Sequence, residues 1–144
     1  MSPTSVIVEA LGGRATLSGR IESPADLSAE IRAGLPYAAL ESVMARFALR
    51  REEVSSALHL PPRTFARRKL ERRLSPEESD RLFRLVRIAA QAVQVLGSEE
   101  RASHWLQRPN GALGGEPPIA LLDTDLGARQ VEEILGRIEH GVYS

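Results

Sequence analysis

The side chains best suited to chemistry in this sequence are cations gathered into one run. Between Arg46 and Arg73 lie nine of them: Arg46, Arg50, Arg51, Arg63, Arg67, Arg68, Lys69, Arg72 and Arg73. Only Glu52, Glu53 and Glu71 oppose them there. Guanidinium groups can bind guanine edges in bidentate fashion and hold phosphates, so this run offers recognition of a polyanion rather than bond-making. Groups that could make or break bonds are sparse. His59, His104 and His140 stand apart, and no pair of them has metal-ligand spacing with carboxylates, so no metal is expected. Asp123 and Asp125 fall where a helix begins, and capping explains them better than catalysis. Gly111 and Gly114-Gly115 lack the strand, helix and lysine of a phosphate-binding loop. No nucleophile motif is visible. The sequence therefore predicts no catalytic residues, no cofactor and no enzymatic activity.

The sign of the charge reverses toward the C-terminus. From Glu116 to Ser144, Glu116, Asp123, Asp125, Glu132, Glu133 and Glu139 face only Arg129 and Arg137, although the whole chain is formally neutral. A basic middle and an acidic end point to two partners of opposite sign, unless folding mixes the two in space. The 144 residues suit one compact domain or two small helical ones. With 42% hydrophobic but only 4% aromatic residues, the core must be mostly Leu, Ile, Val and Ala, which suits packed helices. No cysteine occurs, which excludes disulfides and thiolate sites. Neither a membrane-spanning run nor a signal-peptide pattern is apparent, so a cytoplasmic protein with no membrane partner is expected.

The elements that must position the cations follow from caps and periodicity. Residues 1–22 are weakly defined; Val6, Ile7, Val8, Ala10 and Leu11 could form a short helix or strand, within a frayed tail or a dimer-forming arm. Ser23-Pro24 starts a helix bearing Leu27, Ile31 and Leu35 on one face, and Gly34 and Pro36 end it. A helix from Tyr37 to Ala48 follows. Glu52 to Leu58 and Arg63 to Leu70 then read as two short helices joined by a turn at Pro61-Pro62. A basic second helix in that layout is the arrangement of a helix-turn-helix DNA reader. Phe65, Ala66 and Leu70 are expected to pack. Arg63, Thr64, Arg67, Arg68 and Lys69 would lie nearest the groove, with Arg72 and Arg73 nearer the DNA backbone. Residues 23–74 make up this region. Ser75-Pro76-Glu77-Glu78 opens a long central helix across 75–97, whose two adjacent apolar stripes imply burial on both flanks. Residues 98–144 form a small helical C-terminal domain. In it Trp105 is expected as a core anchor, and Val131, Ile134, Leu135, Ile138 and Val142 form the stripe of the last helix.

The C-terminal order of residues resembles the toxin-binding domain of the Xre/MbcA/ParS family of antitoxins. The likeness runs through Trp105-Leu106, Pro109-Asn110, Leu113-Gly114-Gly115, Pro118, Leu121-Leu122, Thr124, Gly127, Val131 and Arg137-Ile138-Glu139-His140-Gly141. It extends upstream to Arg67-Arg68 and Leu74-Ser75-Pro76-Glu77-Glu78-Ser79-Asp80-Arg81. The resemblance implies an all-α type II antitoxin whose partner is a RES-domain toxin that degrades NAD. It further implies that the C-terminal helix and tail block the toxin's active site. Arg137, Glu139, His140, Gly141, Val142, Tyr143 and Ser144 would then bind toxin, while the basic unit binds operator DNA as a homodimer and represses the antitoxin's own operon. A plain helix-turn-helix transcriptional regulator with no toxin partner is the alternative.

Overall fold

The computed structural model describes residues 3–17 and 19–141. Among them the chain forms helices and connecting turns, with one isolated backbone bridge between Pro36 and Arg73 and no strand. Helix α1 (Pro3–Ala10) is followed by α2 (Pro24–Ala33), α3 (Tyr37–Arg46), α4 (Arg51–Leu58) and α5 (Pro62–Glu71). The long α6 (Pro76–Leu96) then leads to α7 (Glu99–Gln107) and α8 (Asp125–Glu139).

Ser23 and Ser75 cap helices where the sequence puts them, and at α8 the cap is Thr124 rather than Asp123. Ser23, Ser75, Ser98 and Thr124 each accept a hydrogen bond from the backbone N–H three residues on. Each thereby satisfies one of the donors a helix start leaves open. At Ser75 the cap is reciprocal: the Ser75 N–H donates to Glu78 Oε1 at 2.8 Å, and Ser75 Oγ accepts from the Glu78 N–H at 3.1 Å.

Helix α6 is the axis of the molecule. Its buried positions Leu82, Leu85, Val86, Ile88, Ala89 and Ala92 span more than one face, as the double stripe requires. Helices α1, α2 and α4 pack against it, as do α7 and α8. Helix α1 also reaches α3 and buries Ile7, Ala10 and the following Leu11. Its last carbonyls are taken up by α3, since Ser42 Oγ donates to the Ala10 carbonyl and Arg46 to that of Glu9. Residues 3–11 are therefore part of the packed body rather than a frayed tail, because a helix presenting Ile7, Ala10 and Leu11 on one face loses hydrophobic burial by leaving it.

The N-terminal helices and the C-terminal domain are tied by side chains reaching across. Arg46 pairs with Glu99 at 2.7 Å, and Ser103 and Gln107 donate to the Phe47 carbonyl. Arg84 presents Nε and Nη2 to the Leu122 carbonyl at 3.2 and 3.0 Å. His59 ends α4 in the left-handed region (φ 53°), and its Nε2 lies 2.7 Å from the Asp123 carbonyl oxygen. The C-terminal domain is closed by one tight contact. A Cβ at Gly127 would stand 2.0 Å from the Leu121 carbonyl oxygen, so only glycine lets α8 start so close to the preceding turn.

Trp105 packs against the core as expected, but from its edge. It is only half-buried and lines a surface groove with Leu96, Arg101, His104 and Arg108. Helix α7 turns Ala102 and Leu106, four residues apart, toward the core instead, and Trp105 beside them falls at the edge.

Candidate nucleic-acid interface and partner-binding end

Helix α5 carries the basic run, and Phe65 is its one buried residue. The Phe65 ring meets Tyr37 edge-to-face, with centroids 6.4 Å apart, and the Arg51 guanidinium stacks over it at 4.9 Å. Burial foremost, and the Glu41 charge, push the Tyr37 hydroxyl above its ordinary pKa against the opposing Arg51. Just past α5, the Tyr37 N–H donates to the Arg72 carbonyl and the Leu74 N–H to the Leu35 carbonyl, at 3.1 and 2.9 Å. These bonds fasten the end of the basic unit to the loop before α3.

The sequence-predicted packing face of α5 is corrected here. Ala66 is exposed and Leu70 is 85% exposed. Helix α5 is rotated so that Phe65 alone points inward and Arg68 lies beside it toward α6. Arg68 Nε and Nη2 donate to the two carboxylate oxygens of Glu78 at 2.7 and 3.1 Å, and Nη1 donates to Glu71 at 3.0 Å. With its side chain 19% exposed and that of Glu78 8% exposed, this pair is an internal clamp between α5 and the first turn of α6. Burial opposes ionisation of Glu78. The Arg68 hydrogen bonds, the Ser75 N–H and the Arg68 charge outweigh it and hold the carboxyl below its usual pKa. The same hydrogen bonds to Glu78 and Glu71 raise Arg68 further above its already high value. Buried Ser79 extends the clamp, accepting from the Leu35 N–H at 2.7 Å and donating to the Ser75 carbonyl.

The nine cations thus divide into two groups. Arg46, Arg50 and Arg68 hold carboxylates, Arg51 stacks on Phe65, and Arg73 donates to the Gly34 carbonyl. Arg63, Arg67, Lys69 and Arg72 have no ion pair among the described residues and are all exposed. Thr64 is half-buried beside them. Helix geometry puts Arg63 and Arg67 opposite Phe65, whereas Lys69, four residues on, shares the Phe65 side and stays exposed near the end of the helix. Of the seven residues expected at DNA, the structure therefore gathers Arg63, Arg67, Lys69 and Arg72 on the solvent side. It engages Arg68 and Arg73 in the protein itself.

At the other end, α8 buries Gly127, Ala128, Val131 and Leu135 against α6 and the turn before it. Its charges are largely met nearby: Arg129 with Asp125 at 2.9 Å, Arg137 with Glu133 at 2.8 Å, and Glu132 with Arg87 of α6 at 2.8 Å. Arg137, Glu139, His140 and Gly141 form an exposed end, where the His140 N–H donates to the Gly136 carbonyl and the Gly141 N–H to that of Ile138, both at 3.1 Å. The expected partner-binding residues Val142, Tyr143 and Ser144 lie outside the described residues. Between α7 and α8, Asn110 accepts from the Ala112 N–H at 2.9 Å, and the chain turns through Gly114 and Gly115 at positive φ. Among the described residues, no group of His, Asp or Glu could hold a metal ion, and no helix is long and apolar enough to cross a membrane.

Two features at the joint between the halves were not legible in the sequence. The His59 contact with Asp123 and the Arg84 contact with Leu122 each link residues more than thirty positions apart through a backbone carbonyl. A carbonyl acceptor leaves no trace in residue identity. The Arg68–Glu78 clamp did carry a signal, because both residues stand in stretches singled out for the resemblance.

A short helix-turn-helix followed by a small helical domain defines a class, the helix-turn-helix DNA-binding proteins. Residues 26–87 match the antitoxin Xre-like helix-turn-helix domain, and residues 91–141 match the antitoxin Xre/MbcA/ParS C-terminal toxin-binding domain. The chain is 34% identical over 116 residues to an Antitoxin Xre of Yersinia enterocolitica, covering 79% of this chain and 78% of that one. It is 31% identical over 120 residues to an Antitoxin Xre of Photorhabdus laumondii, covering 82% and 81%. It is also 29% identical over 132 residues to a protein of a Sphingobium species named Prs ADP-ribosylating antitoxin, covering 85% and 83%. The chain belongs to the Xre family of antitoxins.

Proposed function

We propose that this protein is the type II antitoxin of a RES-type toxin that degrades NAD, and that it represses its own operon by binding operator DNA. The observation that carries the reading is the pairing, on one α6 axis, of a toxin-binding domain with an α5 whose outer cations are left uncompensated. The exposed end of α8, from Arg137 through Gly141, together with Val142, Tyr143 and Ser144 that follow in sequence, would enter the toxin's active site and exclude its substrate. Tyr143 suits that role, with a large ring and a polar tip. Arg63, Arg67 and Lys69 would face the groove with Thr64 beside them, and Arg72 the phosphates, while Arg68 and Arg73 hold the reading helix in place. In a homodimer two α5 helices would lie about 34 Å apart, matching half-sites one helical turn apart. Such a protein would act in the cytoplasm.

The Sphingobium relative's name favours a second reading of the partner, in which the toxin transfers ADP-ribose from NAD to a protein. NAD consumption is common to both. One experiment tests the proposal: the full chain, and a chain lacking Gly141 to Ser144, are each produced with the RES-like protein encoded beside it. NAD content, ADP-ribosylated protein and binding to the upstream DNA are then measured. The shortened chain should fail to protect NAD yet bind DNA as before. Full protection by the shortened chain would overturn the blocking tail, and labelled protein with little NAD loss would favour the transferase. The absence of any RES-like neighbour would favour a plain regulator.

A further inference from the structure

The rotation of α5 that turns Arg68 inward also turns two apolar side chains outward. Ala66 is exposed, and Leu70, at 85%, is with Leu126 one of two large hydrophobic residues left exposed among the described residues. Arg63, Ala66, Arg67 and Leu70 recur at intervals of three, one and three residues, which places them on a single helix face. Arg63, Arg67 and Leu70 on that face lie roughly opposite Phe65, the residue that fixes α5 to the body, and Ala66 lies at its edge. Arg63 and Arg67 flank Ala66 and Leu70 on that face, Lys69 and Arg72 stand exposed near its C-terminal end, and among the described residues none of the four has an ion pair. Charge complementarity thus calls for a polyanion, and the apolar pair calls for apolar groups displayed on that polyanion. The major groove of DNA offers one such group on its base edges, the C5-methyl of thymine.

We propose that Ala66 and Leu70 select thymine in the operator, each resting on a thymine methyl group, beside guanines held by Arg63 and Arg67. This rests on the DNA-binding reading above and adds to it the base that the apolar residues read. With a rise of about 1.5 Å per residue, Ala66 and Leu70 are separated by about 6 Å along the helix, so the two thymines stand within about two base pairs of each other.

Replacing thymine by uracil removes only the methyl group, which makes the test direct. The duplex upstream of the protein's own reading frame is titrated with the full chain. Copies with single uracil substitutions and the L70A variant follow, with circular dichroism to confirm that L70A is folded. Loss of one well-packed methyl should weaken binding about fourfold at one or two positions. The Leu70→Ala protein should be insensitive to uracil at one of them while keeping the salt dependence of the wild type. Uniform affinity across all uracil copies, or unchanged uracil sensitivity in L70A, would overturn the thymine assignment and leave DNA binding standing. Failure to bind the duplex even at low salt would overturn the DNA reading and this inference together. If L70A loses capture of the co-produced toxin while its DNA titrations match the wild type, the apolar pair belongs to a protein interface and the proposal is wrong.

Discussion

Helices α5 and α8 are both short, charged and amphipathic, yet they use their residues in opposite ways. Helix α8 buries four residues and meets most of its charges within itself or on α6. Helix α5 buries Phe65 alone and leaves Arg63, Arg67, Lys69 and Arg72 uncompensated. A helix folded mainly by its own packing can give up only its end to a partner, and in α8 the exposed end is Arg137 to Gly141. A helix held by one ring, one ion pair and the backbone bonds just past its end keeps a whole face open. The cost is that its position depends on very few side chains, which makes the contrast easy to break.

The largest effect should come from Phe65→Ala. It empties the single apolar anchor of α5 together with its contacts to Tyr37 and Arg51, and should cost about 3–5 kcal/mol in urea unfolding. Circular dichroism should show α5 weakened, and DNA binding should be lost with it. Unchanged stability would mean that α5 is held by something other than Phe65.

Next in size is the division between neighbouring arginines. Arg68→Ala strands the nearly buried Glu78 carboxylate and should lower stability by about 2 kcal/mol. Arg67→Ala should leave the unfolding midpoint unchanged and weaken operator binding instead, by about 1–3 kcal/mol if the contact is bidentate to a base. Equal stability losses in the two variants would erase the distinction between clamp and reader.

The smallest effect is a pH dependence. Glu78 is held below its usual pKa in the folded protein, so the stability it contributes is fully present above its unfolded value, near pH 4.5. That contribution fades as the pH falls through the lower folded value. Glu78→Gln should therefore flatten part of the acid limb of the stability profile. A limb of the same steepness in the variant would place the acid sensitivity elsewhere.

What the sequence determined by itself was local. Ser23, and Ser75 with Glu78, set helix starts because a cap acts within three residues of itself. The two stripes of α6 announced burial on both flanks because apolar residues recur three and four positions apart on two adjacent faces. The family was legible for the same reason, since its residues stand at fixed spacings along one stretch. Rotations and long-range ties were decided by tertiary structure. A helix of ten residues with one aromatic has no unique inner face by pattern alone, and Ala66 and Leu70 fit the packing side as well as Phe65 does. The choice is made by Tyr37, well upstream, and by Glu78, ten residues downstream of Arg68, which together turn the arginine in and the leucine out. Trp105 fell to the edge because Ala102 and Leu106 set the rotation of α7, and His59 reached Asp123 because folding brought a carbonyl to it. Local spacing fixes which residues can share a face. Only the packed neighbours decide which face is the inside.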